Sequence, residues 1–185
     1  MSPAEPPPDQ VDAIIAAWRT ELPEVAGLPM ELSKRITRLA LLIDTVTAAE
    51  LGQLDLTKAE FEVLARMRSA GPPYRRKPSD LAKTLFLSSG GTTNVLHRLT
   101  AASLITREGD PADRRSSWVR LTDQGVRAAE SALIAVNAAQ SKLFERIPEA
   151  TGRTIADLLR DATQSLNVIT MPYHELAVTP AARPR

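Results

Sequence analysis

Cysteine is absent from the 185-residue chain. Structural disulfides, thiolate metal sites, cysteine nucleophiles and thiol-based redox sensing are therefore excluded. Histidine is nearly as scarce: only His97 and His174 occur, too few for a His-rich metal site, and no cofactor is implied. Aromatic residues are 4% of the chain while hydrophobic residues reach 43%. The core must be built from Ala, Leu, Val and Ile, a set that suits helices better than sheets. No stretch approaches the roughly 18 apolar residues of a membrane span. The opening Met1-Ser-Pro-Ala-Glu-Pro-Pro-Pro carries neither the basic nor the apolar part of a secretory leader. A cytoplasmic, mostly helical protein without a membrane partner is expected.

Proline marks the organisation. Seven of the 14 prolines lie near the two ends, which predicts flexible tails over 1–8 and 172–185. Between them, Asp9 is placed to cap a short helix with Val11, Ile14, Ile15 and Trp18 on one face. Residues 30–52 carry Leu32, Ile36, Leu39, Ile43 and Val46 at helical spacing, so 9–52 reads as an N-terminal helical region. Thr57 and Glu60 form a capping box before a helix with Phe61, Leu64 and Ala65 inward. Gly71-Pro72-Pro73 stops it, and Pro78 opens another short helix. Leu87-Ser88-Ser89-Gly90-Gly91 reads as a turn into a helix reaching about Ala102. Two short strands, Leu104–Arg107 and Trp118–Leu121, follow around a polar turn. Residues 123–171 then hold two long helices. The simplest architecture is mostly α with a small β-hairpin: a winged helix-turn-helix over 53–122, flanked by helices at both ends.

The near-neutral total of +1 hides a segregation of charge. From Pro72 to Arg120 there are nine Lys or Arg against four acids, a net of +5, while the rest of the chain has 14 against 18, a net of −4. Positive charge gathered on one module is the footprint of phosphate binding. In the helix after Ser88, Val95, Leu96, Leu99 and Ala102 form an inward face. Ser89, Gly90, Thr93, Asn94, His97 and Arg98 are left outward, a set of small and polar groups able to reach base edges and phosphates in a major groove. The hairpin tip carries Asp113, Arg114 and Arg115. Arginines on a projecting turn suit the negative minor groove, and Asp113 suits an ion pair that shapes the tip.

These residues carry a resemblance. Asp55-Leu-Thr-Lys-Ala-Glu-Phe-Glu-Val-Leu64, Pro78-Ser-Asp-Leu-Ala82, Ser89-Gly-Gly-Thr-Thr-Asn-Val-Leu-His-Arg-Leu99, Asp110-Pro-Ala-Asp-Arg-Arg115 and Val119-Arg-Leu-Thr-Asp-Gln-Gly125 resemble, in order, the DNA-binding block of the MarR family of bacterial transcription regulators. The resemblance implies a homodimer joined by its terminal helices (9–52 and 123–171) that reads a pseudo-palindromic double-stranded operator, and most simply a repressor. Trp18, Ala70-Gly-Pro-Pro-Tyr74 and Leu87-Ser-Ser-Gly-Gly91 are similar to the urate-responsive branch. That branch's acid falls here on Glu62, and its recognition-helix arginine is replaced by Val95. With that cation missing, the resemblance implies a small aromatic or phenolic anion rather than urate itself. Its contacts would be Trp18, Ile15, Arg38 and Glu62, in a pocket between the N-terminal helices and the DNA-binding lobe, with Arg19, Lys34 or Arg35 as further sources of positive charge.

Two rival classes are weighed. An enzyme has little support, because the Ser88–Gly91 stretch lacks the Gly-Lys-Ser/Thr of a phosphate loop and His97 has no nucleophile or acid partner in view. A winged-helix protein-interaction module without small-molecule response is the stronger rival, since fold does not dictate function. The +5 segment and the basic hairpin tip favour DNA.

Overall fold

The computed structural model describes residues 7–84, 89–110 and 113–166. The expected tails fall largely outside this set. The chain divides into two compact units, one up to Val46 and one from Thr47 onward.

The first unit holds helix α1 (Gln10–Glu21), a 3-10 turn at Pro23–Val25, and the first part of helix α2 (Leu28–Gln53). Asp9 caps α1 as expected, and the cap is reciprocal: its carboxylate accepts from the Val11 and Asp12 amides while Asp12 accepts from the Asp9 amide. Arg35 of α2 ties the capped end down by donating to Asp9 at 2.7 Å, Asp12 at 2.6 Å and Glu31 at 3.0 Å. Val11 and Ile15 are buried, but Ile14 and Trp18 of the expected inward face are each 40% exposed. The apolar stripe on this helix is wider than the surface its own unit covers. Pro29 does not break the chain ahead of α2; it sits in the helix's first turn, where its missing N–H has no intrahelical partner to lose.

The second unit continues with α3 (Lys58–Arg68), β1 (Arg75–Arg76), α4 (Pro78–Thr84), α5 (Ser89–Ala101), β2 (Ile105–Asp110), β3 (Asp113–Leu121), α6 (Asp123–Phe144) and α7 (Glu149–Ser165). The wing is more than a hairpin. It is a three-stranded antiparallel sheet in the order β1-β3-β2, with Arg75 opposite Arg120 and Arg76 opposite Val119. The strands β2 and β3 also run longer than their apolar residues suggest, with a bulge at Gly109/Asp110. The glycines Gly90 and Gly91, read as part of a turn, lie in the first turn of α5.

Helix α3 is the hub. Glu60, Phe61, Val63, Leu64 and Met67 are all buried, more than one face can supply, because α3 packs against α6 on one side and against α5 and β3 on the other. Val63, Leu64 and Met67 share a core with Leu81, Leu96, Leu99, Ile105 and Val119. Phe61 belongs to a second cluster with Leu51, Ala132 and Val136. Two alanines of α6, Ala129 in the first cluster and Ala132 in the second, are fully buried and let α6 approach α3 closely.

The start of α6 is fixed by a contact that tolerates no side chain. Thr122 caps the helix, accepting from the Gly125 amide at 2.9 Å, and its own amide donates to the Leu104 carbonyl at 3.0 Å. A Cβ on Gly125 would sit 1.9 Å from that carbonyl oxygen. This seam joins the end of the wing to the long helix. Helix α7 contrasts with it: no residue on α7 is buried, and Leu158 and Leu166 are 63% and 69% exposed.

Candidate nucleic-acid interface

The α4–α5 pair is held on the core by one stripe of each helix. On α5, Thr92, Leu96 and Leu99 recur at the spacing of a single helical face and are buried. Thr92 was missed by hydropathy, and Val95 is only half-buried. Ala102, expected inward, is exposed beyond the end of the helix. The opposite face exposes Gly90, Thr93, Asn94, His97 and Arg98, the residues expected to face a groove. Among the described residues and beyond its own helix turn, no atom lies within 4 Å of where a Gly90 Cβ would point, so no such contact demands glycine there. Ser89 begins the helix; its side chain lies outside the described residues.

Arg98 has a partner that spacing alone does not reveal. Its Nε lies 2.9 Å from Oε1 of Glu60 in an ion pair, and the Glu60 side chain is 6% exposed while that of Arg98 is 55% exposed. Oε2 of Glu60 accepts from the Thr57 amide at 2.8 Å and the Thr57 hydroxyl at 2.6 Å, closing the capping box of α3. One buried carboxylate thus joins the start of α3 to the reading face of α5. The capping box was legible in Thr57 and Glu60; that its acid turns inward and meets α5 was not.

The wing adds a second basic surface. The Arg75 guanidinium lies 4.7 Å and the Lys77 ammonium 5.0 Å from the centroid of the Trp118 indole, a paired cation–π arrangement at the base of the sheet. Arg120 pairs with Glu108 across β2 and β3. Arg75 and Lys77, which the sequence shows only as charge, and Trp118, which it shows only as a strand residue, are further functional candidates; the Arg75-Arg76-Lys77 triplet was the available signal. The expected tip residues Asp113, Arg114 and Arg115 begin β3, and their side chains lie outside the described residues.

Of the expected ligand contacts, Ile15 is buried while Trp18 and Arg38 are exposed on the first unit, and Glu62 is exposed on α3 of the second. Arg35, considered as a cation for an anionic ligand, is already engaged by three carboxylates. These hydrogen bonds, led by Glu31, hold its ionisation well above the ordinary arginine range. A concavity of about 430 Å³ opens between α3 and α6, lined by Ala65, Arg68, Ser69, Glu130, Leu133 and Ile134. At its edge Arg68 donates to Glu130 at 2.9 Å and stacks 4.9 Å from the Tyr74 ring centroid.

Comparison with known proteins decides the family. The MarR family model matches residues 54–116. The HTH-type transcriptional regulator PecS of Dickeya dadantii is 34% identical over 116 residues, spanning 63% of this chain and 70% of PecS. The chain belongs to the MarR family. Among solved structures, a MarR mutant from E. coli complexed with operator DNA superposes with a TM-score of 0.64 at 25% identity, covering 78% of this chain and 96% of that one. Bordetella bronchiseptica BpsR, whose DNA binding is regulated by 6-hydroxynicotinic acid, gives 0.62 at 25% identity, covering 71% and 91%. The mostly helical winged-helix fold expected from the sequence is the MarR fold, and the relatives are transcriptional regulators, not enzymes. Among the described residues no helix is long and apolar enough to cross a membrane.

Proposed function

We propose that this MarR-family regulator is a homodimeric repressor that α5 seats in the major groove of a pseudo-palindromic operator and that a small aromatic or phenolic anion releases. The observation that carries the reading is the face of α5. Thr92, Leu96 and Leu99 anchor it, while Thr93, Asn94, His97 and Arg98 are exposed on the module that holds the chain's excess positive charge. The MarR–operator complex is similar over most of its length, which supports DNA as the partner. Regions 9–52 and 123–171 are proposed to dimerise, the latter supported by the unburied apolar face of α7. Ser89, Gly90, Thr93, Asn94, His97 and Arg98 are proposed to meet the major groove, and Asp113, Arg114 and Arg115 to shape and insert the wing tip.

BpsR supports a ligand of the hydroxylated aromatic carboxylate class. Trp18, Ile15, Arg38 and Glu62 are the proposed contacts. The resemblance to the urate-responsive branch rests on Trp18 and Ala70–Tyr74, and Val95 in place of its arginine argues against urate as the effector.

The test is fluorescence anisotropy on a duplex selected by the protein from a random pool and on a scrambled duplex of equal length. It is run at several salt concentrations, with and without urate, salicylate and 6-hydroxynicotinic acid. The reading expects a steep salt dependence, preference for the selected duplex, and release by one of the two aromatic carboxylates. Arg115→Ala should weaken both duplexes alike. Equal binding of both duplexes, or none at low salt, overturns the DNA reading in favour of a protein-interaction module. Specific binding that no compound releases removes the ligand from the proposal.

A further inference from the structure

The Glu60 carboxylate divides its work between its two oxygens. Oε2 takes both donors of Thr57 and completes the cap of α3, whereas Oε1 pairs with the Arg98 Nε. A capping box needs only one accepting oxygen, and glutamine serves it as well as glutamate. The negative charge of Glu60 is therefore not required by the cap. It is matched to Arg98, and a carboxylate this buried is costly to keep charged without such a cation. Arg98 in turn sits one turn beyond Asn94 on the exposed face of α5. An exposed arginine is ordinarily free to sample many rotamers, and binding has to freeze them. Here the Nε corner of the guanidinium is paired with a buried carboxylate, leaving its outer edge for a further acceptor.

We infer that Glu60 is a positioning residue for operator specificity: by holding Nε it aims the Arg98 guanidinium at one DNA phosphate and so fixes the register of α5 in the groove. The inference rests on the proposed reading of α5 as the recognition helix. It extends that reading to a buried residue outside the DNA-facing set. The same ion pair links the reading face to the first turn of α3, so a displacement of that turn would release Arg98.

The charge makes the inference separable from a structural role. Glu60→Gln keeps the cap and the volume but removes an anion next to the DNA surface. General attraction to phosphate should hold or rise, while selective binding falls. In the anisotropy assay, Glu60→Gln should lose on the order of tenfold in affinity for the selected duplex with no loss on the scrambled one. Arg98→Lys, a change at an exposed side chain that keeps the charge but not the planar fork, should lose a similar factor. The double variant should lose no more than either single one, and all three should keep the wild-type far-UV spectrum. Weakening of both duplexes in parallel, or losses that multiply in the double variant, overturns the inference while leaving α5 as the reader. A wild type that fails to prefer its selected duplex overturns the reading of α5, and this inference with it.

Discussion

Gly125 shows how much one hydrogen atom can decide. A methyl group there has nowhere to go, because the obstacle is the Leu104 carbonyl rather than a flexible side chain. Gly125→Ala must therefore pull α6 away from the Ser103–Leu104 turn and break the Thr122 cap. It is expected to cost about 3 kcal/mol, at the upper end for overpacking, read as a lowered urea midpoint with an unchanged slope. Asn94→Ala acts at the same scale but on recognition. It should leave stability unchanged, cost about 1–3 kcal/mol on the selected duplex and relax discrimination at one base position, measured by competition with single-base variants. The exposed face of α5 was legible residue by residue because its apolar anchors recur at helical spacing. Glu60 was legible as a cap only, since which way an acid turns depends on what a distant helix brings to it.

Elements were legible where local chemistry sets their ends. The Asp9 and Thr57 caps, the Gly71-Pro72-Pro73 stop and the start of a long helix at residue 123 all reappear in the structure. What failed was pairing. The strand β1 is two residues long and exists only because β3 offers it an edge, so no local pattern could announce it. The Asp9 cap leads to a pH prediction for α1. Hydrogen bonding from the Asp12 backbone, with Arg35 alongside, holds the Asp9 carboxyl below its ordinary 3.8. A depressed folded value means that its stabilising contribution is complete above 3.8 and drains away as pH falls through the lower, folded value. Protection of the Val11 and Asp12 amides from hydrogen exchange, corrected for intrinsic rates, should fall over that acid range. In Asp9→Asn, which can still cap but cannot ionise, the fall should be absent.

For the molecule as a whole, the largest unmet demand is apolar surface. α7 buries nothing, yet Leu158, Leu159 and Leu166 share one side of it at helical spacing. The helices flanking the winged unit carry more apolar surface than that small core can use. The structure of a single chain leaves that surplus exposed. Leu158→Glu should convert the proposed homodimer to monomer in sedimentation velocity at micromolar protein. Operator affinity should drop steeply with it, because two half-sites can no longer be engaged by one particle. The two tryptophans divide along the same lines as the compact units, Trp18 in the first and Trp118 in the second under Arg75 and Lys77. Indole emission responds to nearby charge, and a DNA phosphate drawn to the wing as proposed would compete for these two cations. The molecule thus carries its own pair of optical reporters: with Trp18 replaced by Phe, the remaining emission should track the proposed docking of the wing on DNA, and with Trp118 replaced it should track the proposed binding of an effector at the N-terminal helices. The order in which the two signals change after mixing would time the two events against each other without any added label.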